Sequence, residues 1–491
     1  MTKNNNETPI YSKLYENEKY FKEKIGMGTS FDIGVRKITI LDTEVHIYFL
    51  NGLCDTQFII ELMKEMVELN ISEKQQHVVT KDLIENRLTH QQVSKSKTLD
   101  EAVDQLLSGL IIIMMEGEGE AIVVDVRSYP GRSPQEPDTE KVVRGARDGY
   151  TENLIENTAL TRRRIRDERL RNEILQVGER SKTDVCISYI QDVADPKLVK
   201  KLRDELNAID IDGIPMADKT IEEFLVHQGM NPFPLVRYTE RPDVVASHLL
   251  EGHVVVMVDT SPSVIITPTT YFHHVQHAEE YRQTPLVGAF LRWVRFIGMI
   301  ASLYLLPLWL LFVLEPSLLP ENLKFIGPNE VTKIPIFVQI LFAELGVDML
   351  RMAAIHTPTP LSTAMGLIAA VLIGQIAIDV GLFVPEVILY VAASAIGSFA
   401  TPSYELGIAN KIIRILLLIA VVIFKAPGFV VAATIIMLLM IRIRSLDTPY
   451  LWPFIPFNAK ALMQIIVRVS VPLTKKRPSI VKPQQSQKQP N

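Results

Sequence analysis

From Phe296 to Ile443 the chain is a succession of long apolar runs, and a few carboxylates stand inside or beside them: Glu344, Asp348, Asp379 and Glu386. A charge in a bilayer costs a few kcal/mol or more, so acids in such runs face a bundle interior or a water path. Residues 1–295 are mostly polar and charged. The whole-chain averages, 47% hydrophobic and a mean hydropathy of +0.17, therefore hide a division into two kinds of sequence. At 491 residues the chain exceeds one typical domain. The net charge of −5 lacks the basic footprint of a nucleic-acid binder, so no nucleic-acid partner is expected. The combination points to a gated membrane assembly rather than an anchored enzyme.

The two cysteines, Cys54 and Cys186, form neither a disulfide framework nor a zinc motif. Both fall in α/β-type sequence and are expected to be buried free thiols in a reducing compartment. The opening residues MTKNNNETPIYSKLYENEKYFKEKIG have no apolar central region. The first translocation signal is thus expected after Arg295, which keeps the soluble part cytoplasmic.

Residues 1–30 read as a polar arm with a short charged helix. RKITILDTEVHIYFLNG alternates apolar and polar residues and predicts two strands. DTQFIIELMKEMVEL has helical periodicity with Asp55 as N-cap, and KTLDEAVDQLLSG is a second helix ended by Gly109. LIIIMMEGEGEAIVVDV predicts strand, turn and strand, which completes a first lobe over 31–143. A second lobe, 144–290, begins with the charged stretch TENLIENTALTRRRIRDERLRNEIL, which predicts a helix. The strand TDVCISYI, helices over DPKLVKKLRDELNAI and KTIEEFLVHQ, and two strands within HLLEGHVVVMVDTSPSVIITP follow.

Three features of this half invite chemistry. Arg162, Arg163, Arg164, Arg166, Arg169 and Arg171 would suit phosphate or a partner, but interleaved Asp167, Glu168 and Glu173 favour a solvated helix. His273, His274 and His277 have metal-compatible spacing, yet no Cys or further His completes a site nearby, so an interfacial linker is the better reading. Asp259-Thr260-Ser261-Pro262 reads as a turn. There is no P-loop, no GxGxxG after a strand and no nucleophile elbow, so neither a catalytic residue nor a cofactor is expected.

Six apolar segments are expected between 291 and 444: 296–314, 334–350, 362–382, 386–402, 408–424 and 427–443, the last two joined by the tight Lys-Ala-Pro-Gly turn at 425–428. The segment 334–350 is short, so that five crossings with one re-entrant helix is the alternative. Six crossings place Arg351, Lys411, Arg414, Arg442, Arg444 and the basic tail (445–491) on the cytoplasmic side, as the positive-inside rule requires. Glu344 and Asp348 are i,i+4, and Arg351 follows three later on the same face; either acid paired with Arg351 would also simply lock the bundle. Gln375 and Asp379 repeat the i,i+4 relation, Gly366, Ala370 and Gly374 form a small-residue packing stripe, and Ser394 and Ser398 give the fourth segment a polar stripe. Glu344, Asp348, Arg351, Gln375, Asp379, Ser394 and Ser398 are the candidate pore or intramembrane polar network. The expected fold is an α/β (or α+β) two-lobed cytoplasmic domain followed by an all-α multi-pass membrane domain of five to six helices.

FAELGVDMLRMAAIHTPTP (342–360), GLIAAVLIGQIAIDVGLFVPEVI (366–388) and ASAIGSFATPSYELG (393–407) resemble the membrane signature of GerA-type spore germination proteins, A-subunit class. RGARDGYTEN (144–153), RRRIRD (162–167), and PFPLVRYTERPDVVASHLLEGHVVVMVDTSP (232–262) carry the same resemblance through the soluble part. It implies a protein of the spore inner membrane in nutrient-triggered germination, and assembly into an oligomeric, pentamer-like ion channel. Receptor members of the family work with a transporter-like B subunit and a lipoprotein C subunit. The segment GMGTSFDIGVRKI places the chain nearer a sporulation-linked branch, whose members need not sense a nutrient and act with a different membrane partner. The family supplies no catalytic residues to transfer.

The leading expectation is therefore a homo-oligomeric channel for monovalent cations, set in the lipid bilayer among other germination proteins of the spore inner membrane. A secondary transporter would show duplicated halves, and none is visible. A non-conducting scaffold is the remaining alternative.

Overall fold

The computed structural model describes residues 8–72, 93–128, 135–329, 334–356 and 375–488, apart from positions 26, 28–32, 41, 51–52, 138–139, 166 and 168. The chain divides into two compact units, Met1–Arg132 and Ser133–Asn491.

The first unit holds helix α1 (Leu14–Ile25), strands β1 (Ile33–Ile40) and β2 (Thr43–Leu50), helix α2 (Thr56–Ser72), β3 (Val93–Ser96), helix α3 (Leu99–Leu107), β4 (Ile111–Met115) and β5 (Ala121–Val124). Its strands form one antiparallel sheet in the order β1-β2-β4-β5-β3. Successive strand residues point to opposite faces, so the apolar run of β4 feeds two cores. Ile111, Ile113 and Met115 join the core beneath α2, while Ile112 and Met114 join the one containing Leu14, Phe21 and Leu99. Asp55 caps α2 by accepting from Gln57 N (2.9 Å), as its position predicts. Thr98 caps α3 at the other end of the same logic, and Gly109 (φ 90°) lets the chain leave α3 in the left-handed region. The strand β3 is too short and polar to be legible in sequence.

The second unit begins with the same plan. Helix α4 (Leu154–Arg164) leads to β6 (Leu170–Val177) and β7 (Thr183–Ile190). Helices α5 (Pro196–Asn207) and α6 (Ala217–Val226), β8 (Arg237–Thr239), helix α7 (Pro242–Glu251), β9 (Val254–Val258) and β10 (Val264–Thr267) follow. The sheet order, β6-β7-β9-β10-β8, repeats that of the first sheet strand for strand, again antiparallel. Antiparallel sheets with helices on their faces make both lobes α+β.

The charged stretch 151–175 is not one helix: its second half is β6, an edge strand paired with β7 from Leu170↔Ile190 to Val177↔Thr183. Arg171 and Glu173 on this edge strand continue the charged run before it and mask the strand. The arginine cluster is divided accordingly. Arg162 donates to the Asp167 and Leu170 carbonyls, Arg164 pairs with Asp148 (2.6 Å) and Arg169 with Asp167 (2.8 Å) and Asp192 (2.6 Å). These arginines hold the lobe together; Arg166 lies outside the described residues.

Helix α8 (Ala278–Arg282) leads to four long apolar elements: α9 (Pro285–Leu314), α10 (Ile336–His356), α11 (Pro385–Phe399) and α12 (Tyr404–Arg442). Two of them, α9 and α12, are long and apolar enough to cross a membrane. The helix α10 has 21 residues, longer than the segment 334–350 suggested. The expected stripe Gly366, Ala370 and Gly374 lies outside the described residues. Instead α9 and α11 meet at glycine: a Cβ on Gly397 would stand 2.2 Å from the Gly298 carbonyl oxygen.

The run α12 breaks at Lys425 (φ 53°, ψ −134°), where the Lys-Ala-Pro-Gly turn was expected. Lys425 lies 3.9 Å from Glu315, just past the end of α9. At the other end Glu405 lies 3.9 Å from Lys219, and Ile443 O accepts from Tyr450, whose own carbonyl accepts from Tyr271 N. Both ends of the run thus return to the second lobe, and Gly428 packs on Ala420 across the bend. Beyond α12 come β11 (Arg444–Ser445), β12 (Thr448–Pro449) and helix α13 (Ala459–Ile466). The basic tail then lies along the second lobe: Arg477 donates to Leu250 O (2.7 Å), and Gln484 to Gln191 O (2.8 Å) and Ala194 O (2.7 Å).

The linker histidines have company that sequence spacing did not reveal. The ring of His273 is 5.1 Å from that of His253 and 5.9 Å from that of His248, and all three are buried. Arg237, also buried, donates to His273 O (3.0 Å), with Glu140 3.9 Å away; His274 and the Glu251–Lys488 pair complete the charged and titratable surroundings. His277 instead caps α8 by accepting from Glu279 N. Among the described residues no group of His, Cys, Asp or Glu has metal-binding geometry.

Two predictions follow from this packing. A side chain at Gly397 has no room against the Gly298 backbone, so Gly397→Val loses about 1–3 kcal/mol or more, read as a lower melting temperature in detergent, with Gly397→Ala milder. Burial holds His253 near pKa 4 and His274 near 3, and Arg237 pushes both in the same direction. Below about pH 6.5 the unfolded chain binds more protons than the folded one, so stability falls as pH drops towards 4, by about 3 kcal/mol from His253 alone. Melting of His253→Phe between pH 7 and 4.5 is expected to fall less steeply than that of the parent protein; parallel curves would exclude His253 as a contributor.

Candidate functional site

Four helices meet around one set of charges. Glu344 on α10 is 3% exposed, and on α12 Lys411 is 6% and Arg414 2% exposed. Arg414 donates to Glu344 Oε2 at 2.7 Å, and Lys411 Nζ stands 2.9 Å from the same oxygen. Lys411 also pairs with Asp348, one turn further along α10 and half-buried, and donates to the Glu344 carbonyl at 3.2 Å. The other arm of Arg414 reaches Ser394 Oγ on α11 (2.6 Å) and the Ser302 carbonyl on α9. Ser394 in turn donates to Ser302 O at 3.2 Å.

Local sequence explains each placement. The i,i+4 spacing of Glu344 and Asp348 stacks both acids on one face of α10. The i,i+3 spacing of Lys411 and Arg414 does the same for the bases on α12. Ser302 and Ser394 are small enough to let α9 and α11 approach beside Arg414. Two acids and two bases sum to zero, so the cluster carries no net charge inside an apolar bundle. A carboxylate, a hydroxyl and a carbonyl take up the two terminal nitrogens of the buried guanidinium. Among the described residues Glu344 Oε1 and Arg414 Nε find no partner, which leaves one acceptor and one donor in the cluster.

The seven residues predicted from spacing have different fates. Glu344, Asp348 and Ser394 come together. Arg351, the partner that spacing offered to the acids, lies with its guanidinium 4.8 Å above the Phe399 ring. Ser398 is buried beside Gly407, at the start of α12. Gln375 and Asp379 are exposed, and no contact among the described residues joins them to the cluster. Glu386, at the start of α11, accepts from Asn329 N (3.1 Å) and Nδ2 (2.8 Å), as an acid at a helix N-terminus is expected to do. The positive-inside count places Lys411 and Arg414 on the cytoplasmic side of the 408–424 segment. Their burial removes them from the positive-inside count and makes them the main partners of the acids.

A second buried cluster ties α9 to the lobe beneath it. Glu280 on α8 accepts from Arg292 Nε at 2.7 Å and pairs with Arg295. Arg292 also donates to Gln464 O (3.0 Å) and Ile465 O (2.7 Å) on α13. Tyr271, in the linker, donates to Met299 Sδ on α9 (3.0 Å). The second lobe is thereby joined to the base of the helical bundle.

Removing one partner of a buried ion pair leaves the other uncompensated. Glu344→Gln is expected to lose about 3–5 kcal/mol of stability, whereas Glu344→Gln with Arg414→Gln, which removes one charge of each sign, loses less. Thermal unfolding in micelles measures both; equal losses in single and double variants would show the two residues to be uncoupled.

Comparison with known proteins agrees with the sequence motifs. Residues 19–480 match the family described as "Bacillus/Clostridium GerA spore germination protein". The chain is 64% identical to "Stage V sporulation protein AF" of Bacillus subtilis (strain 168) over 481 residues, covering 98% of this chain and 97% of that one. It is 30% identical to "Spore germination protein KA" of the same organism over 461 residues, covering 93% and 84%. The crystal structure of the N-terminal domain of the A subunit of the Bacillus megaterium spore germinant receptor GerK3 aligns at 28% identity over 54% of this chain and 98% of that chain, with a TM-score of 0.23. A match that runs almost from end to end, with all three membrane motifs inside it, means that the chain belongs to the GerA family of spore germination proteins.

Proposed function

We propose that this protein is a multi-pass subunit of the spore inner membrane that assembles with copies of itself, pentamer-like, into a channel for monovalent cations opened by germination signalling. Its two lobes lie on the cytoplasmic side, and it catalyses no covalent chemistry. The carrying observation is the neutral four-charge cluster of Glu344, Asp348, Lys411 and Arg414, enclosed by a bundle whose outer surface is apolar. Phe342, Leu345, Leu389, Leu416 and Ile419 are exposed on the same helices that hide these charges. That inversion of the usual soluble pattern fits lipid or neighbouring subunits outside and a polar path within.

Lengths and directions support several crossings. The 21 residues of α10 span about 31 Å, close to a hydrocarbon core of about 30 Å. Val384 N donates to Gln339 Oε1 (2.9 Å), so α10 and α11 start side by side and run in parallel. The break at Lys425 turns α12 into two antiparallel halves. Six crossings accommodate both facts.

In this reading the ion pairs act as a latch. Paired, Glu344 offers a cation little attraction. A shift of α10 against α12 would separate Glu344 and Asp348 from Lys411 and Arg414 and leave carboxylates facing the path, the arrangement that favours cations. The base of α9, held by Glu280 and Tyr271, is where the lobe would drive that shift. The second reading, a non-conducting scaffold among germination proteins, is favoured by the same neutrality, because a fully paired cluster also serves as a structural lock.

Potassium efflux from proteoliposomes separates the two. A channel predicts efflux that rises in Lys411→Met, where the acids lose one buried counter-charge, and falls when Glu344 and Asp348 are both neutralised. A scaffold predicts no efflux above that of empty vesicles from the parent protein or any of these variants.

A further inference from the structure

We propose that the outer face of the first half of α9, together with the elbow formed by Pro453–Val467, is a docking surface for anionic lipid headgroups. The proposal rests on the reading of α9–α12 as membrane-embedded and adds a second, surface-lying contact to it.

The 30 residues of α9 extend about 45 Å, more than a hydrocarbon core of about 30 Å requires. The far end is fixed by Trp309, whose Nε1 donates to Ile326 O (2.8 Å), and by Glu315 near Lys425. The surplus length therefore lies at the lobe end, at headgroup level. On this half of the helix Arg292 and Arg295 turn inward to Glu280, while Phe290, Trp293 and Ile297, spaced i, i+3 and i+7, are exposed. A helix leaving the membrane for water would show the reverse.

The elbow continues this surface. Its helix α13 is joined to α9 by the Arg292 bonds to Gln464 and Ile465 and by Trp293 Nε1 donating to Ile466 O at 2.9 Å. Ile465 is buried against the bundle, whereas Phe457 (70% exposed), Met463 and Val467 face outward. The charge around it has one sign. Arg442, Arg444 and Lys460 are exposed, Asp447 is paired with Lys201, and no Asp or Glu occurs from Thr448 to Asn491. Aromatic and aliphatic side chains beside exposed basic groups match an interface where acyl chains meet anionic headgroups. A second copy fits less well, because a two-fold contact through this face would set Arg442, Arg444 and Lys460 against their own equivalents.

The test uses the full chain with Cys54 and Cys186 replaced by alanine and one cysteine introduced for a fluorescent label: Phe457→Cys, Met463→Cys or, as a membrane control, Leu416→Cys. The proteins are reconstituted in phosphatidylcholine vesicles with or without phosphatidylglycerol, and quenched by spin-labelled lipids carrying the nitroxide at the headgroup or deep in the acyl chain. The proposal predicts several-fold stronger quenching of labels at 457 and 463 by the headgroup nitroxide than by the deep one. It also predicts weaker quenching without phosphatidylglycerol or in Arg442→Gln/Arg444→Gln/Lys460→Gln, with the Leu416 label quenched by the deep nitroxide throughout. Labels at 457 and 463 that escape quenching while the one at 416 is quenched would overturn the proposal and leave the membrane reading intact. Efficient disulfide cross-linking of Phe457→Cys between copies would overturn it in favour of a second copy. Absence of quenching at all three positions would overturn the membrane reading and this proposal with it.

Discussion

The pairing of Glu344 with Arg414 and Lys411 is the interaction on which the helical half of the molecule depends. Charges inside an apolar bundle are tolerated only when their partners are in place. The cluster therefore sets which faces of α10 and α12 meet, and the arms of Arg414 to Ser394 and Ser302 bring α11 and α9 to the same point. The close approach at Gly298 and Gly397 lies one turn along the same pair of helices. Packing and electrostatics thus agree on one arrangement of the four helices.

The soluble half has a different logic. Two sheets share one strand order, and each fills a core on both faces from the alternating residues of its central strands. The second of these lobes is not an appendage of the bundle. Glu280 reaches Arg292, Tyr271 reaches Met299, and the C-terminal tail returns across α7 and β7 to lie on its surface. Burial of His248, His253 and His273 beside Arg237 lowers the pKa of all three, so acid weakens the part of the lobe that adjoins the linker.

Most of the elements were legible from local patterns. Period-two alternation identified β1 and β2, short apolar runs bounded by turns marked β4, β5, β7, β9 and β10, and Asp55 marked the start of α2 as its cap. The strand β6 was hidden because Arg171 and Glu173 continue the charged pattern of the helix before it. The acids at 344 and 348 stood out because charge is rare in an apolar run, and their shared face followed from spacing alone. Their partners did not. Spacing offered Arg351, seven residues from Glu344, whereas Arg414 is 70 residues away in sequence. Only the reversal that returns α12 along α10 brings them together. The histidine cluster was missed for the same reason: His248 and His253 meet His273 through the turn between α7 and β9, which no local spacing reports.

The central claim is that the Glu344 cluster lies beside a conduction path formed by several copies of this chain. Electron cryo-microscopy of the full-length protein in lipid nanodiscs addresses it most directly. The account predicts a closed ring of about five copies, with α10 turned towards the symmetry axis and Asp348 at the wall of a continuous central path. A monomer, or a ring whose axis is sealed by lipid with the Glu344 cluster facing away from it, would contradict the account and leave the cluster as a structural lock.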